Sequence, residues 1–312
     1  MKTTSLRPAY FKDLIGQKKL IDVISISVKS ALSRNESMSH AVLEGPAGLG
    51  KTTLANAIAN ELGVDIQVSN GASIRSIAQA LPYIMRIKEN SIWFIDEIHR
   101  MPDIVFEFLY PIMEDFKLDL SSEGTKKQKK GEILSMKLPK FTLIGATTEV
   151  GTLPEPLRDR FKLKYTLKKY KEESICKLID INCKKIKVKL NDEAKSMLAG
   201  ASRGTPRIAN SLLEWIRDYS IAKGIKSVDS ANLKEALEMK DIGEDGSTEN
   251  DRRYLDFLLN QDSPMGINTI SASIGINRET IEQVIEPFWL AKNVIIKTTK
   301  GRLAVKNDSQ SD

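Results

Sequence analysis

The residues best equipped for chemistry form one short run, Gly45-Pro46-Ala47-Gly48-Leu49-Gly50-Lys51-Thr52, which fills every fixed position of the pattern GxxxxGK[ST]. In such a loop, glycines let backbone N–H groups turn inward around phosphate oxygens, and the following helix directs its positive end at them. Lys51 is expected to reach the β- and γ-phosphates of a nucleotide, and the Thr52 hydroxyl to hold Mg²⁺. With Thr53, the candidates for binding ATP here are Gly45, Gly48, Leu49, Gly50, Lys51 and Thr52. A structural loop that matched by chance would lack the context seen here, an apolar strand before (residues 40–44) and an Ala- and Leu-rich helix after (Thr52 to Glu61).

Trp93-Phe94-Ile95-Asp96-Glu97 supplies a second half. A carboxylate at a strand end can order Mg²⁺ and its waters, the role expected of Asp96, and Glu97 can polarise a water against the γ-phosphate. An acidic pair after apolar residues ordinarily marks a strand ending at solvent; the glycine loop upstream overturns that reading. His99 follows, and reads as a satisfied polar residue packed near the site. Gly145-Ala146-Thr147-Thr148 ends another strand with two hydroxyls that can sense the γ-phosphate or the attacking water. In Pro156-Leu157-Arg158-Asp159-Arg160-Phe161, arginine suits a finger projected onto a neighbour's phosphate, because its charge is permanent and its fork is planar. Alone, that run would read as a surface ion-pair cluster. In Gly204-Thr205-Pro206-Arg207 an arginine stands in the first turn of a later helix, where it can meet a phosphate from the far side.

These groups need a frame. Strands at residues 40–44, Ile92 to Ile95 and Phe141 to Ile144 alternate with helices, which predicts a parallel sheet with flanking helices and its active groups at the carboxyl ends of the strands. After about residue 168 the pattern becomes helical, with segments Lys171 to Lys184, Asn191 to Leu198, Arg207 to Ile221 and Ser230 to Met239. The polar run Asp241 to Asn250 reads as a linker. Helices near Arg253 to Leu259, Ile267 to Ile274 and Arg278 to Ala291 then precede strands at Val294 to Lys297 and Arg302 to Val305, the outline of a winged helix-turn-helix. The expected division is 1–168, a large α/β ATPase domain; 169–240, a small all-α lid; and 241–312, linker and winged helix.

Composition narrows the class. The chain has 312 residues, 41% apolar and 28% charged, as expected of a globular protein with a sizeable core. No apolar run approaches the roughly 18–20 residues of a membrane helix, and Met1 to Phe11 does not read as a signal peptide, so a cytoplasmic chain without membrane contact is expected. Cys176 and Cys183 would lie about 10 Å apart along one helix, too far for a disulfide, and read as reduced packing residues. The net charge of +6 is compatible with nucleic acid without requiring it. Lysines concentrate at Lys126, Lys127, Lys129 and Lys130, and again from Lys162 to Lys189, where charge alone reads as solvated surface.

With these motifs in order the chain resembles the AAA+ ATPases, and within them the RuvB family of Holliday-junction motors. The resemblance runs from Leu6 to about Val305 and rests on Leu6-Arg7-Pro8 with Ile15-Gly16-Gln17, FIDEIHR at 94–100, LYPIMEDF at 109–116, FTLIGATT at 141–148, PLRDRF at 156–161, RGTPRIAN at 203–210 and ETIEQVIEPF at 279–288. It implies that Asp96 and Glu97 are the Walker B pair, Thr148 (or Thr147) sensor 1, Arg160 the arginine finger and Arg207 sensor 2. It also implies that Arg7, Pro8, Ile15 and Tyr170 line an adenine pocket, with Pro206 beside Arg207. The expected activity is an ATPase and DNA helicase driving branch migration in recombination and repair, as a hexameric ring on duplex DNA. The wing Lys297-Thr298-Thr299-Lys300-Gly301-Arg302 would touch phosphates through Lys297, Lys300 and Arg302 without reading bases.

Three positions depart from the family pattern. Lys300 and Glu149 stand where the family prefers arginine. The hairpin about Leu118 to Leu138 docks RuvA through apolar residues in the family, whereas here Ser121-Ser122-Glu123-Gly124 and KKQKK at 126–130 are polar. That polarity argues against a RuvA-type partner and for an acidic partner or DNA. A clamp-loader-like switch that remodels a protein ring is the alternative reading, and a non-catalytic, nucleotide-gated DNA-binding protein a third.

Overall fold

The computed structural model describes residues 6–121 and 133–305. The polar stretch 122–132, including the lysines at 126–130, lies outside the described residues. The chain divides into two compact units, Met1–Ser174 with Thr205–Arg207, and Ile175–Gly204 with Ile208–Asp312.

The first unit runs α1 (Lys18–Arg34), β1 (Ala41–Glu44), α2 (Lys51–Leu62), β2 (Ile66–Asn70), α3 (Ile77–Ile84), β3 (Ile92–Asp96), α4 (Asp103–Glu114), β4 (Lys117–Ser121), β5 (Ile133–Lys137), β6 (Thr142–Thr147), α5 (Glu155–Arg160) and β7 (Leu163–Thr166). Five strands form a parallel sheet in the order β2-β3-β6-β1-β7. Successive side chains of a strand point to opposite faces, and β3 feeds two cores accordingly. Ile92 and Phe94 join Leu54, Ala55 and Ile58 of α2 and Ile24 and Val28 of α1. Trp93 and Ile95 join Val105, Phe106 and Leu109 of α4 and Leu157 of α5. The three strands whose ends carry chemistry, β3, β6 and β1, are neighbours, with Glu44 level with Thr147.

Sequence patterning found those three and overlooked β2 and β7. Both are edge strands, where burial on one face leaves fewer apolar residues to read. The hairpin β4–β5 is antiparallel, with Leu118 opposite Met136.

The second unit is built mainly from α6 (Glu172–Ile186), α7 (Asp192–Ala201), α8 (Pro206–Lys223) and α9 (Ser230–Glu238), followed by α10 (Glu249–Leu259), α11 (Ile267–Ile274), α12 (Arg278–Thr280), a π-helical turn Ile281–Ile285, α13 (Glu286–Ala291), β8 (Ile295–Thr298) and β9 (Gly301–Ala304). Side-chain caps fix the helix starts: Asn191 accepts from the N–H of Ala194, Asp229 from that of Asn232, and Thr248 with Asp251 forms a capping box. Cys176 and Cys183 both lie on α6, and burial pushes the Cys183 thiol up to about 11.

The expected linker at 241–250 is mostly exposed turn, with Gly246 and Ser247 buried in its middle. Arg203 donates to the Gly246 carbonyl and ion-pairs with buried Asp251, while its guanidinium lies 3.8 Å from the centre of the Phe288 ring. Gly246, at φ +83°, comes so close to Ala201 that a Cβ would stand 2.6 Å from its carbonyl oxygen. Asp245 accepts from the N–H of Ser247 and Thr248 bonds to Asp251, while most side chains of the run stay exposed.

Candidate active site and nucleic-acid interface

The glycine loop leaves β1 and enters α2 through three left-handed glycines, Gly45 (φ +146°), Gly48 (φ +81°) and Gly50 (φ +99°). At Gly45 a Cβ would stand 2.6 Å from the Leu167 carbonyl oxygen, so that position demands glycine twice over. Lys51 opens α2 and its Nζ donates to the carbonyls of Gly45 at 2.6 Å and Pro46 at 3.1 Å. Burial lowers the Lys51 pKa from the ordinary lysine value; Asp96 and Glu97 oppose the shift and Arg207 adds to it.

Thr52 Oγ1 donates to Asp96 Oδ2 at 3.0 Å, joining the first turn of α2 to the end of β3. Asp96 Oδ1 accepts from the N–H of Glu97 at 3.1 Å. Glu97 sits in the left-handed region at φ 49° and its carboxylate pairs with Arg100 at 3.0 Å. Gly71, just beyond β2, lets this bend approach: a Cβ there would lie 2.3 Å from the Glu97 carbonyl oxygen.

At the end of β6 the two threonines divide. Thr147 is buried, and its Oγ1 lies 3.0 Å from His99 Nδ1 while accepting from the N–H of Glu149. The Thr147 hydroxyl thus links His99 to the backbone just past the strand end. Thr148 is exposed past the strand end, and its hydroxyl makes no hydrogen bond among the described residues. His99 is thus a polar neighbour held by Thr147.

On the other side, Arg207 donates its N–H to the Gly48 carbonyl at 3.3 Å, and a Cβ on Gly48 would strike Thr205 at 2.7 Å and Arg207 at 3.1 Å. Pro206, the first residue of α8, fixes the start of that helix between them. Tyr170 donates its hydroxyl to the Leu49 carbonyl at 3.4 Å, and its ring lies against Gly16, where a Cβ would come within 2.8 Å. The N-terminal arm is tied to α2 by Asn60, which donates to the Ala9 carbonyl, and by Glu61, which accepts from the N–H of Phe11. Pro8 and Ile15 are half-buried in this arm and Arg7 is exposed. Lys51, Thr52, Asp96, Glu97 and Arg207 therefore converge on one site.

Arg160 lies apart from that cluster, at the end of α5, paired with Glu114 at 2.7 Å. Arg100, Gly71 and Glu114 were given no role in the sequence reading, although Arg100 lies inside FIDEIHR and Glu114 inside LYPIMEDF.

In the second unit the wing differs from expectation. Arg302 turns inward: its side chain is only 15% exposed, and it pairs with Glu286 at 2.7 Å and Glu282 at 3.0 Å. Glu286 is fully buried and also takes the Tyr254 hydroxyl at 3.1 Å and Lys297 Nζ at 2.5 Å. Arg302, expected at a phosphate, is thus held by two carboxylates of its own chain. Lys297 stays half-exposed, and Lys300 is exposed at the hairpin tip. Among the described residues no helix is long and apolar enough to cross a membrane.

Comparison with known proteins settles the class. Residues 6–167 match the model of the Holliday junction DNA helicase RuvB P-loop domain, 170–243 the RuvB AAA lid domain and 244–308 the RuvB C-terminal winged helix domain. The chain belongs to the RuvB family. It is an AAA+ ATPase with a parallel α/β sheet, a helical lid and a winged helix. It is 40% identical to the Holliday junction branch migration complex subunit RuvB of Fusobacterium nucleatum, covering 98% of this chain and 92% of that protein. Against the subunit of the same name from Rhodopirellula baltica, identity is 37%, covering 96% and 82%. A solved structure of the Thermotoga maritima RuvB Holliday junction branch migration motor superposes with a TM-score of 0.83 at 32% identity, covering 96% of both chains.

Proposed function

We propose that this chain is a subunit of an ATP-driven DNA motor that moves Holliday junctions in recombination and repair, working as a hexameric ring on duplex DNA. The observation that carries it is the likeness to the Thermotoga motor over 96% of each chain, with Lys51, Thr52, Asp96, Glu97 and Arg207 brought together at the sheet's carboxyl edge. Functionally the chain divides into an ATPase domain (1–168), a lid (169–240) and a winged helix (241–312), a division supported by the family-model bounds.

In the site, backbone N–H groups of Gly48 to Lys51 cradle the β- and γ-phosphates, Lys51 neutralises them, and Glu97 orients the attacking water. Thr52 and Asp96 are the residues that would hold Mg²⁺. Their oxygen-only, two-residue donor set suits a small hard cation that keeps several waters, and no group of three or more His, Cys, Asp or Glu exists among the described residues to favour another metal. When bound, such an ion spreads the charge that develops on the phosphates. Thr148 reports the γ-phosphate, and Arg207 couples it to the lid. Arg7, Pro8, Ile15 and Tyr170 line the adenine. Arg160 completes the site of the next copy, so that hydrolysis waits for assembly.

Lys297 and Lys300 contact phosphates, with Arg302 holding the wing in place. The relatives are named as subunits of a branch migration complex, which supports a RuvA-type partner; the polar stretch 121–130 argues for docking other than by an apolar knob. The three matching family models favour this reading over the clamp-loader one. We place the chain in the cytoplasm with the DNA it serves.

The test is a purified four-way junction. With ATP the protein should dissociate it into duplexes, the Glu97→Gln variant should not, and added RuvA should stimulate. ATP hydrolysis without any junction binding at low salt would sink the motor reading.

A further inference from the structure

The sequence LYPIMEDF has no generic place in an ATPase, yet its first six residues, Leu109 to Glu114, form the last turns of α4. Two of its side chains meet Arg160. The guanidinium carbon lies 4.6 Å from the centre of the Tyr110 ring, close enough for a cation to be attracted by the ring face. Glu114 Oε2 accepts from Nη2 at 2.7 Å, and the Pro156 carbonyl accepts from Nη1 at 2.8 Å. The Arg160 Nε is buried without a hydrogen-bond partner. The guanidinium is thus fixed from three directions, while each terminal nitrogen keeps a second hydrogen with no acceptor among the described residues. Two such hydrogens are what a fork onto a phosphate requires.

An arginine that must act on another molecule's phosphate faces an entropic problem. Its side chain has many rotamers, and one that sweeps through solvent meets the phosphate in the right orientation only rarely. A flat ring beneath it and an acceptor at one edge remove that freedom without using up the donors. Glu114 is well placed for this, being 63% exposed, so solvent keeps its attraction modest and it does not withdraw the charge from a stronger anion.

We infer that Tyr110 and Glu114 are positioning residues for Arg160, forming a cradle that presents its guanidinium to the nucleotide site of an adjacent copy of this chain. The inference rests on the proposal that Arg160 acts in trans, and it gives the LYPIMEDF segment a role: α4 carries the seat of the arginine, and α5 carries the arginine itself.

The test uses mixed subunits and steady-state ATP hydrolysis. Arg160→Ala should lower turnover by about 10³-fold or more, and both Tyr110→Leu and Glu114→Ala by roughly tenfold, with KM for ATP unchanged. Tyr110→Phe keeps the ring and should keep the activity. Subunits carrying Glu97→Gln have an intact arginine and cradle but an impaired site, so mixing them with Arg160→Ala subunits should restore hydrolysis at the latter's intact sites. The same mixing should restore Tyr110→Leu and Glu114→Ala. No restoration of Arg160→Ala would overturn the trans reading itself. Restoration of Arg160→Ala but not of the two cradle variants would overturn the cradle alone, as would full activity of both variants unmixed. Should Tyr110→Leu fail to fold, the exposed Glu114 still carries the test.

Discussion

At Asp96 and Glu97 two adjacent carboxylates are given separate work by a single backbone bend. Asp96 faces Thr52, and Glu97, in the left-handed region, turns to Arg100. Glu97→Gln should therefore retain nucleotide binding and lose hydrolysis by roughly 10²-fold or more, read as equilibrium binding of labelled nucleotide beside phosphate release. His40 is a different case, remote from the chemistry. Its Nδ1 accepts from the N–H of Leu143 at 2.8 Å and its Nε2 donates to the Met113 carbonyl at 2.9 Å, a pattern only the neutral ring satisfies. Burial pulls its pKa down to about 4, with Lys162 adding to the shift. Between pH 4 and 6.5 the unfolded chain takes up a proton that the folded chain refuses. The stabilisation is thus complete above about pH 6.5 and lost as pH falls towards 4, on the order of 3 kcal/mol. Thermal unfolding across that range should show a steep fall in midpoint, and His40→Gln should flatten it.

At the scale of elements, the wing is fastened to the helix behind it chiefly by Glu286, with Glu282 a second partner of Arg302. Glu286 begins α13 immediately after the π-helical turn, and receives Tyr254 from α10, Lys297 from β8 and Arg302 from β9. Removing one partner of a buried ion pair strands the others, at about 3–5 kcal/mol. Glu286→Ala should destabilise the second unit by that amount in urea unfolding, and amide exchange should rise across residues 295–304. Here the limits of reading a sequence are physical. The glycine loop and the Asp96-Glu97 pair were legible because local chemistry dictates them. The seat of Arg302 was not, because a basic residue on a hairpin reads alike whether it faces solvent or a glutamate contributed from another helix. The same blindness hid β2 and β7, whose patterns are diluted by exposure, and the close approach of Gly246 to Ala201. LYPIMEDF and EPF stood out as unusual strings; only the fold could say that Glu114 meets Arg160 and Glu286 meets Arg302.

For the whole molecule, the proposed phosphate contacts of Lys297 and Lys300 predict DNA affinity that weakens with salt. Lys300→Ala should reduce the slope of log affinity against log salt by about 1, the mark of one lost phosphate contact. Arg302→Ala should leave that slope nearly unchanged and lower the urea midpoint instead, which separates an anchor from a contact. The three tryptophans are also unevenly shared. Trp93 belongs to the first unit, buried on β3 with its indole N–H on Ser69 and its ring stacked on Tyr83, three residues before Asp96. Trp215 and Trp289 belong to the second, their indoles bonded to the carbonyls of Ala236 and Asp251. Nature has thus built an optical label into each half of the molecule. With Trp215 and Trp289 replaced by phenylalanine, emission from Trp93 alone would follow events at the ATPase sheet, with no dye attached.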